Sequence, residues 1–187
     1  MEPDGHPELP LFVTSTDART PKVAQARSNP RVEVAWWMEG TRDQFRISGF
    51  VHIVPAPAKS KDGSTPIPAE ATTLKSLEES GFDFEAKRKE TFDAMSTVMR
   101  ATWCVPVAPG TRIESYEEQK AWPSEVPLER DAKTDEERMN IEVSFSNFAL
   151  MLVEPVQVDW VSLGVLPYSR VSFTRDGGNW IEQQLVP

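Results

Sequence analysis

The chain has 187 residues, with 20 Lys or Arg against 29 Asp or Glu and a net charge of −9, a balance that repels a nucleic-acid backbone and argues against DNA or RNA as a partner. The length suffices for one domain, 1–187, whose core needs neither disulfides nor metal as scaffolding. A single cysteine, a start with neither a basic end nor an apolar run, and no apolar segment near the roughly 20 residues of a bilayer span point to a reducing, cytoplasmic setting without membrane contact.

Residues 11–15 read as a short strand and 32–38 as a second, β-branched and aromatic one. Between them Thr20-Pro21 opens a helix that runs to about Ser28 and stops before Asn29-Pro30. A turn at 39–42 leads into a long alternating strand. There Phe45, Ile47, Val51 and Ile53 share one face, and Gln44, Arg46, Ser48 and His52 share the other. From 55 to 73 the composition turns to Pro, Ala, Lys, Ser and Gly, which predicts a surface excursion.

A helix is expected next, with Phe92, Met95, Met99 and Trp103 recurring at three- and four-residue spacing as a core stripe and an end before Pro106. Residues 110–133 are polar and mostly acidic, and Thr134-Asp135-Glu136-Glu137 matches a capping box that opens a short helix. Segments 148–153 and 156–163 are strand-like, with Pro155 between them predicting a bend or an edge. Segments 170–175 and 180–185 flank an Asp-Gly-Gly-Asn turn as a hairpin. The expected fold is mostly β with α, an α+β class, carrying surface insertions at 55–80 and 110–134.

The chemistry gathers in Ser15-Thr16-Asp17-Ala18-Arg19-Thr20-Pro21-Lys22. Thr20 stands where an N-cap belongs, and a helix start presents unpaired N–H groups and the positive end of the dipole, an intrinsic anion site. Arg19 and Lys22 bracket it with full charges suited to a phosphate. The plain alternative is a cap flanked by two solvated cations. Elsewhere His6, His52 and Cys104 have no metal-ligand spacing, no Gly-rich nucleotide motif occurs, and no residue is nominated as a catalytic acid, base or nucleophile.

Three blocks of the sequence resemble the FMN-binding split-barrel family of pyridoxamine 5′-phosphate oxidase, closer to its oxidase-like branch than to the vitamin B6 enzyme. They are TDARTPKVAQARSNPRVEVAWW, DQFRISG and the C-terminal VDWVSLGVLPYSRVSFTRDGGNWIEQQLVP. The resemblance implies a split β-barrel that forms a homodimer, with FMN in the cleft between subunits and a small-molecule substrate. By position it assigns Thr16 and Lys22 to the flavin phosphate, Gln44 to the isoalloxazine, and Trp160 and Arg170 to the C-terminal flavin contacts, while Thr20 remains a cofactor candidate from its place at the helix start. Arg19 and Arg46 match residues common in the oxidase-like branch.

Departures accompany the match. The family's Ser-Arg-Lys is here Thr20-Pro21-Lys22, which removes a cation and an N–H donor. The Arg and His that grip the substrate's phosphate in the B6 enzyme fall at Leu166 and Tyr168, which argues against B6 oxidation. Family members also carry two strands ahead of the position of Leu11, so the start at Met1 implies either an N-terminally truncated barrel or remaining strands that pair differently. Two functions follow: an FMN-dependent oxidoreductase, or a non-catalytic module that binds flavin weakly or not at all and acts through protein contacts.

Overall fold

The computed structural model describes residues 10–57 and 63–187; His6 and residues 58–62 of the expected first insertion lie outside them. In chain order the elements are β1 (Phe12–Asp17), α1 (Pro21–Ser28), β2 (Arg31–Met38) and β3 (Asp43–Val54). Three helices follow, α2 (Thr72–Glu79), α3 (Phe84–Asp93) and α4 (Thr97–Ala101). The chain then forms α5 (Asp135–Asn147), β4 (Phe148–Ser162), β5 (Ser169–Asp176) and β6 (Asn179–Leu185). All six strands belong to one antiparallel sheet ordered β2-β3-β4-β5-β6, with β1 set beside the first half of β4. Among the described residues the outer edges of β1, β2 and β6 carry no strand, so the sheet is open. No helix among them is long and apolar enough to cross a membrane.

Strand β4 differs from expectation, because Pro155 neither ends it nor moves it to an edge: it is the central strand, 15 residues long. A bulge accommodates the proline. Ser48 pairs with Gln157 while Gly49 pairs with Pro155, which leaves Val156 as an extra residue where the ladder is already interrupted. Gly49 is required there, since a Cβ would stand 2.1 Å from the Glu154 carbonyl oxygen. The extra residue also inverts the alternation of β4. Ala149 and Val153 share a face with Val51 and Ile53, whereas beyond the bulge Val158 and Trp160 take that face beside Ile47 and Phe45.

Helix α1 covers the first of these faces, packing Val23 and Ala26 onto Val51, Ile53, Ala149 and Val153. On the opposite face Phe50, Val54, Leu150 and Leu152 meet Ile67, Ala71, Leu74 and Leu77. His52 is therefore buried at 4% exposure with its ring edge against Phe84, not on a solvated polar face. The surface excursion likewise fails over 65–73. Thr65 donates its N–H to Ile53 O at 2.9 Å and its hydroxyl accepts from Ile53 N at 2.7 Å, which ties the segment to β3. Ile67 and Ala71 of this stretch are buried, a spacing that bulk composition hides.

Helix α2 begins on a buried carboxylate. Glu154, fully buried, accepts from Thr73 N at 3.0 Å and Leu74 N at 2.9 Å and is paired by Arg175, which also reaches the Thr72 hydroxyl. These bonds satisfy donors that a helix start leaves open.

The expected long helix is instead α3 and α4, broken because Ser96 caps the second by accepting from Met99 N at 3.2 Å. Phe92 and Trp103 still pack on Phe148, but Met99 is exposed. The capping box at Thr134 and Glu137 forms as read, and its helix, α5, runs 13 residues. Residues 110–133 are largely exposed, with Val126 buried among them.

Candidate functional site

The start of α1 holds four of the residues that the sequence singles out. Thr20 occupies the N-cap and Pro21 the first helical position. The Thr20 hydroxyl makes no cap bond: it donates to Asp17 O at 2.8 Å and lies 3.4 Å from the hydroxyl of buried Thr16. Arg19 is likewise committed. Its Nε and Nη2 bind the Asp17 carboxylate at 3.0 and 2.7 Å, and Nη1 donates to Val105 O at 2.8 Å. Pro21 has no N–H to offer and that of Val23 is bonded to Thr20 O at 3.1 Å. The remaining cation is Lys22, exposed and with no ion pair among the described residues.

Lys22 stands on the rim of a cleft of about 290 Å3 that runs along α1, with Gln25, Asn29 and Arg31 beside it. The floor is apolar, made by Val32 and Val34 of β2 with Val51, Ile53 and Val153 behind them. Apolar walls with a few polar groups at one rim are what a small organic anion requires.

Gln44, Arg46 and Arg170 lie on the other face of the sheet. Gln44 pairs with Val161 and Val161 with Arg170, so these three form one row across β3, β4 and β5. Arg46 is two rows away on the same face, opposite Asp159. Both arginines are engaged: Arg46 with Glu33 at 2.8 Å, and Arg170 bidentate with Asp159 at 3.0 and 2.6 Å. Arg170 holds the Asp159 carboxyl below the usual range, and Asp159 raises the pKa of Arg170 in return. Sequence reading missed these carboxylates, although Glu33 and Asp159 sit diagonally to their arginines on neighbouring strands and a register would have found them.

Trp160 is on the α1 side. Its indole stacks on Phe45 with ring centroids 6.2 Å apart and planes 8° from parallel, and Nε1 donates to Asp43 Oδ1 at 3.0 Å. The residues picked from sequence are therefore divided by the sheet, with the α1 group and Trp160 on one side and Gln44, Arg46 and Arg170 on the other. The β4 bulge is the cause, since without its extra residue Trp160 would point to the polar face.

Tested against FMN, the groups fit in part. Lys22 above an apolar cleft suits a phosphate-bearing ligand, while the capping hydroxyl and Arg19 are already bonded within the chain. The donors and acceptors suited to a flavin ring edge are present but face away from that cleft within one chain.

Residues 4–55 match the family described as pyridoxamine 5′-phosphate oxidase, FMN-binding domain. No curated protein matches the chain. Among solved structures, a pyridoxamine 5′-phosphate oxidase-related, FMN binding protein from Nostoc punctiforme is 22% identical, with a TM-score of 0.62 over 95% of this chain and 73% of that one. PhzG from Burkholderia lata, solved in complex with tetrahydrophenazine-1-carboxylic acid, is 13% identical, with a TM-score of 0.55 over 94% of this chain and 68% of that one. These two likenesses concern the fold. Over residues 4–55 the chain is thus similar in sequence to the pyridoxamine 5′-phosphate oxidase FMN-binding domains, and the fold of the described residues agrees with that similarity.

Proposed function

We propose that the chain is a flavin-dependent oxidoreductase acting on a small substrate, with its FMN site assembled from two copies. The observation that carries this reading is Lys22, unpaired on the rim of an apolar cleft inside the segment that matches the FMN-binding family. The division of the remaining groups by the sheet supports a homodimer: one copy offers Lys22 and Trp160, and a second offers Gln44, Arg46 and Arg170 across the interface. The half-exposed apolar face formed by Trp36, Phe45 and Trp160 favours such an association, and the split-barrel form and a cytoplasmic setting belong to the same proposal.

When bound, the flavin supplies the redox chemistry; the protein supplies binding, orientation and exclusion of water. Lys22 neutralises the phosphate, and Trp160 presents a rigid aromatic wall. Pyridoxamine 5′-phosphate is not the proposed substrate, because Leu166 and Tyr168, where the resemblance places the phosphate-gripping residues, are exposed and carry no positive charge.

Replacing Lys22 by Ala is expected to weaken FMN by about 1.5 to 3 kcal/mol, the usual worth of a hydrogen bond to a charged group, in a flavin-fluorescence titration. Equal affinity in the variant and the parent overturns the assignment.

A second reading is a non-catalytic module, favoured by the internal engagement of Arg19, Arg46 and Arg170. Purified protein that carries no flavin absorption after incubation with FMN and desalting would establish it.

A further inference from the structure

Trp160 is the one aromatic group in the proposed site whose orientation is fixed by a charge. Asp43 begins β3 and lies diagonally across from Trp160 on the same face, two rows beyond the Phe45–Trp160 pair. Its carboxylate accepts from the indole Nε1 at 3.0 Å. Hydrogen bonds from Thr41, Trp160 and Ser162 hold its pKa below the usual carboxylate value. The acceptor is thus anchored from two other elements, the β2–β3 turn and the end of β4. The indole is gripped at its edge by Asp43 and on its face by the nearly parallel Phe45 ring.

We infer that Asp43 is a positioning residue that locks the Trp160 indole in one orientation before any ligand arrives. Among the described residues nothing other than Asp43 is bonded to that N–H, and Phe45 alone would let the indole slide or flip in its plane. A pre-set aromatic wall spares a ligand the cost of ordering it. The consequence for flavin rests on the function proposed above; the locking itself does not.

The test uses the full chain with Asp43→Ala, Asp43→Asn and Trp160→Phe. The difference in near-ultraviolet circular dichroism between parent and Trp160→Phe isolates the Trp160 band from the other five tryptophans. The expected result is loss of that band in Asp43→Ala and its retention in Asp43→Asn, which keeps an acceptor oxygen. A band that survives in Asp43→Ala overturns the inference. Asp43→Ser, too short to reach the indole, carries the same test if the alanine variant does not fold.

FMN affinity is then read on the same proteins. Asp43→Ala is expected to raise the FMN dissociation constant about two- to tenfold, the cost of ordering one side chain on binding, with Asp43→Asn near the parent. A lost band with unchanged FMN affinity in both Asp43→Ala and Trp160→Phe upholds the locking and removes Trp160 from the flavin site. A parent protein that binds no FMN overturns the proposed function and leaves the dichroism result to stand on its own.

Discussion

On one side of the β4 bulge both faces of the sheet are covered, by α1 over Val51 and Ile53 and by α2 and its approach over Phe50 and Val54. On the other side neither face is covered by a helix among the described residues. Trp36 is 53% exposed there, and the Arg46–Glu33 pair lies in water on the opposite face. The same strands therefore serve two ends. Where layers stack, burial supplies the free energy that holds the fold. Where they do not, side chains remain free for a ligand or another copy. Substitutions in the two halves should accordingly differ in what they disturb.

The largest expected effect lies at the covered edge. Arg175→Ala leaves the carboxylate of Glu154, which has no solvent exposure, with only the Thr73 and Leu74 amides as partners. Removing one member of a buried pair costs about 3 to 5 kcal/mol. A urea titration should show that loss without a change in slope. A loss below about 1 kcal/mol, the range of surface pairs, would mean that Glu154 reaches water and that this half is less covered than described.

Most of this comparison was legible in the sequence only where local rules act alone. The Thr20-Pro21 helix start, the Thr134–Glu137 capping box and the Asp176–Asn179 hairpin all form, since each depends on neighbouring residues. The bulge was not legible. It needs Gly49 and Pro155, more than a hundred residues apart, to meet, and it decides which face Trp160 takes. His52 was misread for a related reason. Alternation along β3 tells which residues share a face, but whether that face meets water or a helix depends on where α2 and α3 dock. In the site, residue types were readable and their engagements were not: nothing local joins Arg19 to Val105 or Arg170 to Asp159.

His52 offers a gentler probe of the covered half. Burial lowers its pKa from 6.5, with Lys75 acting in the same direction and the Thr65 backbone and Glu78 opposing. The folded state thus holds the ring neutral at a pH where the unfolded chain has begun to take up a proton. Stability from this group is complete above about pH 6.5 and is lost as pH falls from there through the folded pKa, with a limiting slope of about 1.4 kcal/mol per pH unit. Denaturation midpoints measured from pH 8 to pH 5 should fall more steeply in the parent than in His52→Gln. Parallel profiles would show that protonated His52 is accommodated, and that the contact with Phe84 opens to water.

The smallest stability effect is expected at Arg46, in the bare half. Its guanidinium and the Glu33 carboxylate are 53% and 44% exposed, so water screens the pair and long side chains lose freedom to form it. Arg46→Ala should change the unfolding free energy by about 0 to 1 kcal/mol. If the polar face of a second copy completes the flavin site, the same variant should weaken FMN while leaving the urea midpoint of the free protein in place. That pattern, silent in stability and visible in binding, is the mirror of Arg175→Ala and would separate the two halves by experiment. A stability loss above about 2 kcal/mol would instead make the Glu33–Arg46 pair part of the fold's support, because exposed pairs do not reach that value. The bare half of the sheet would then need a covering layer that the described residues of one chain do not provide, and unfolding would depend on protein concentration.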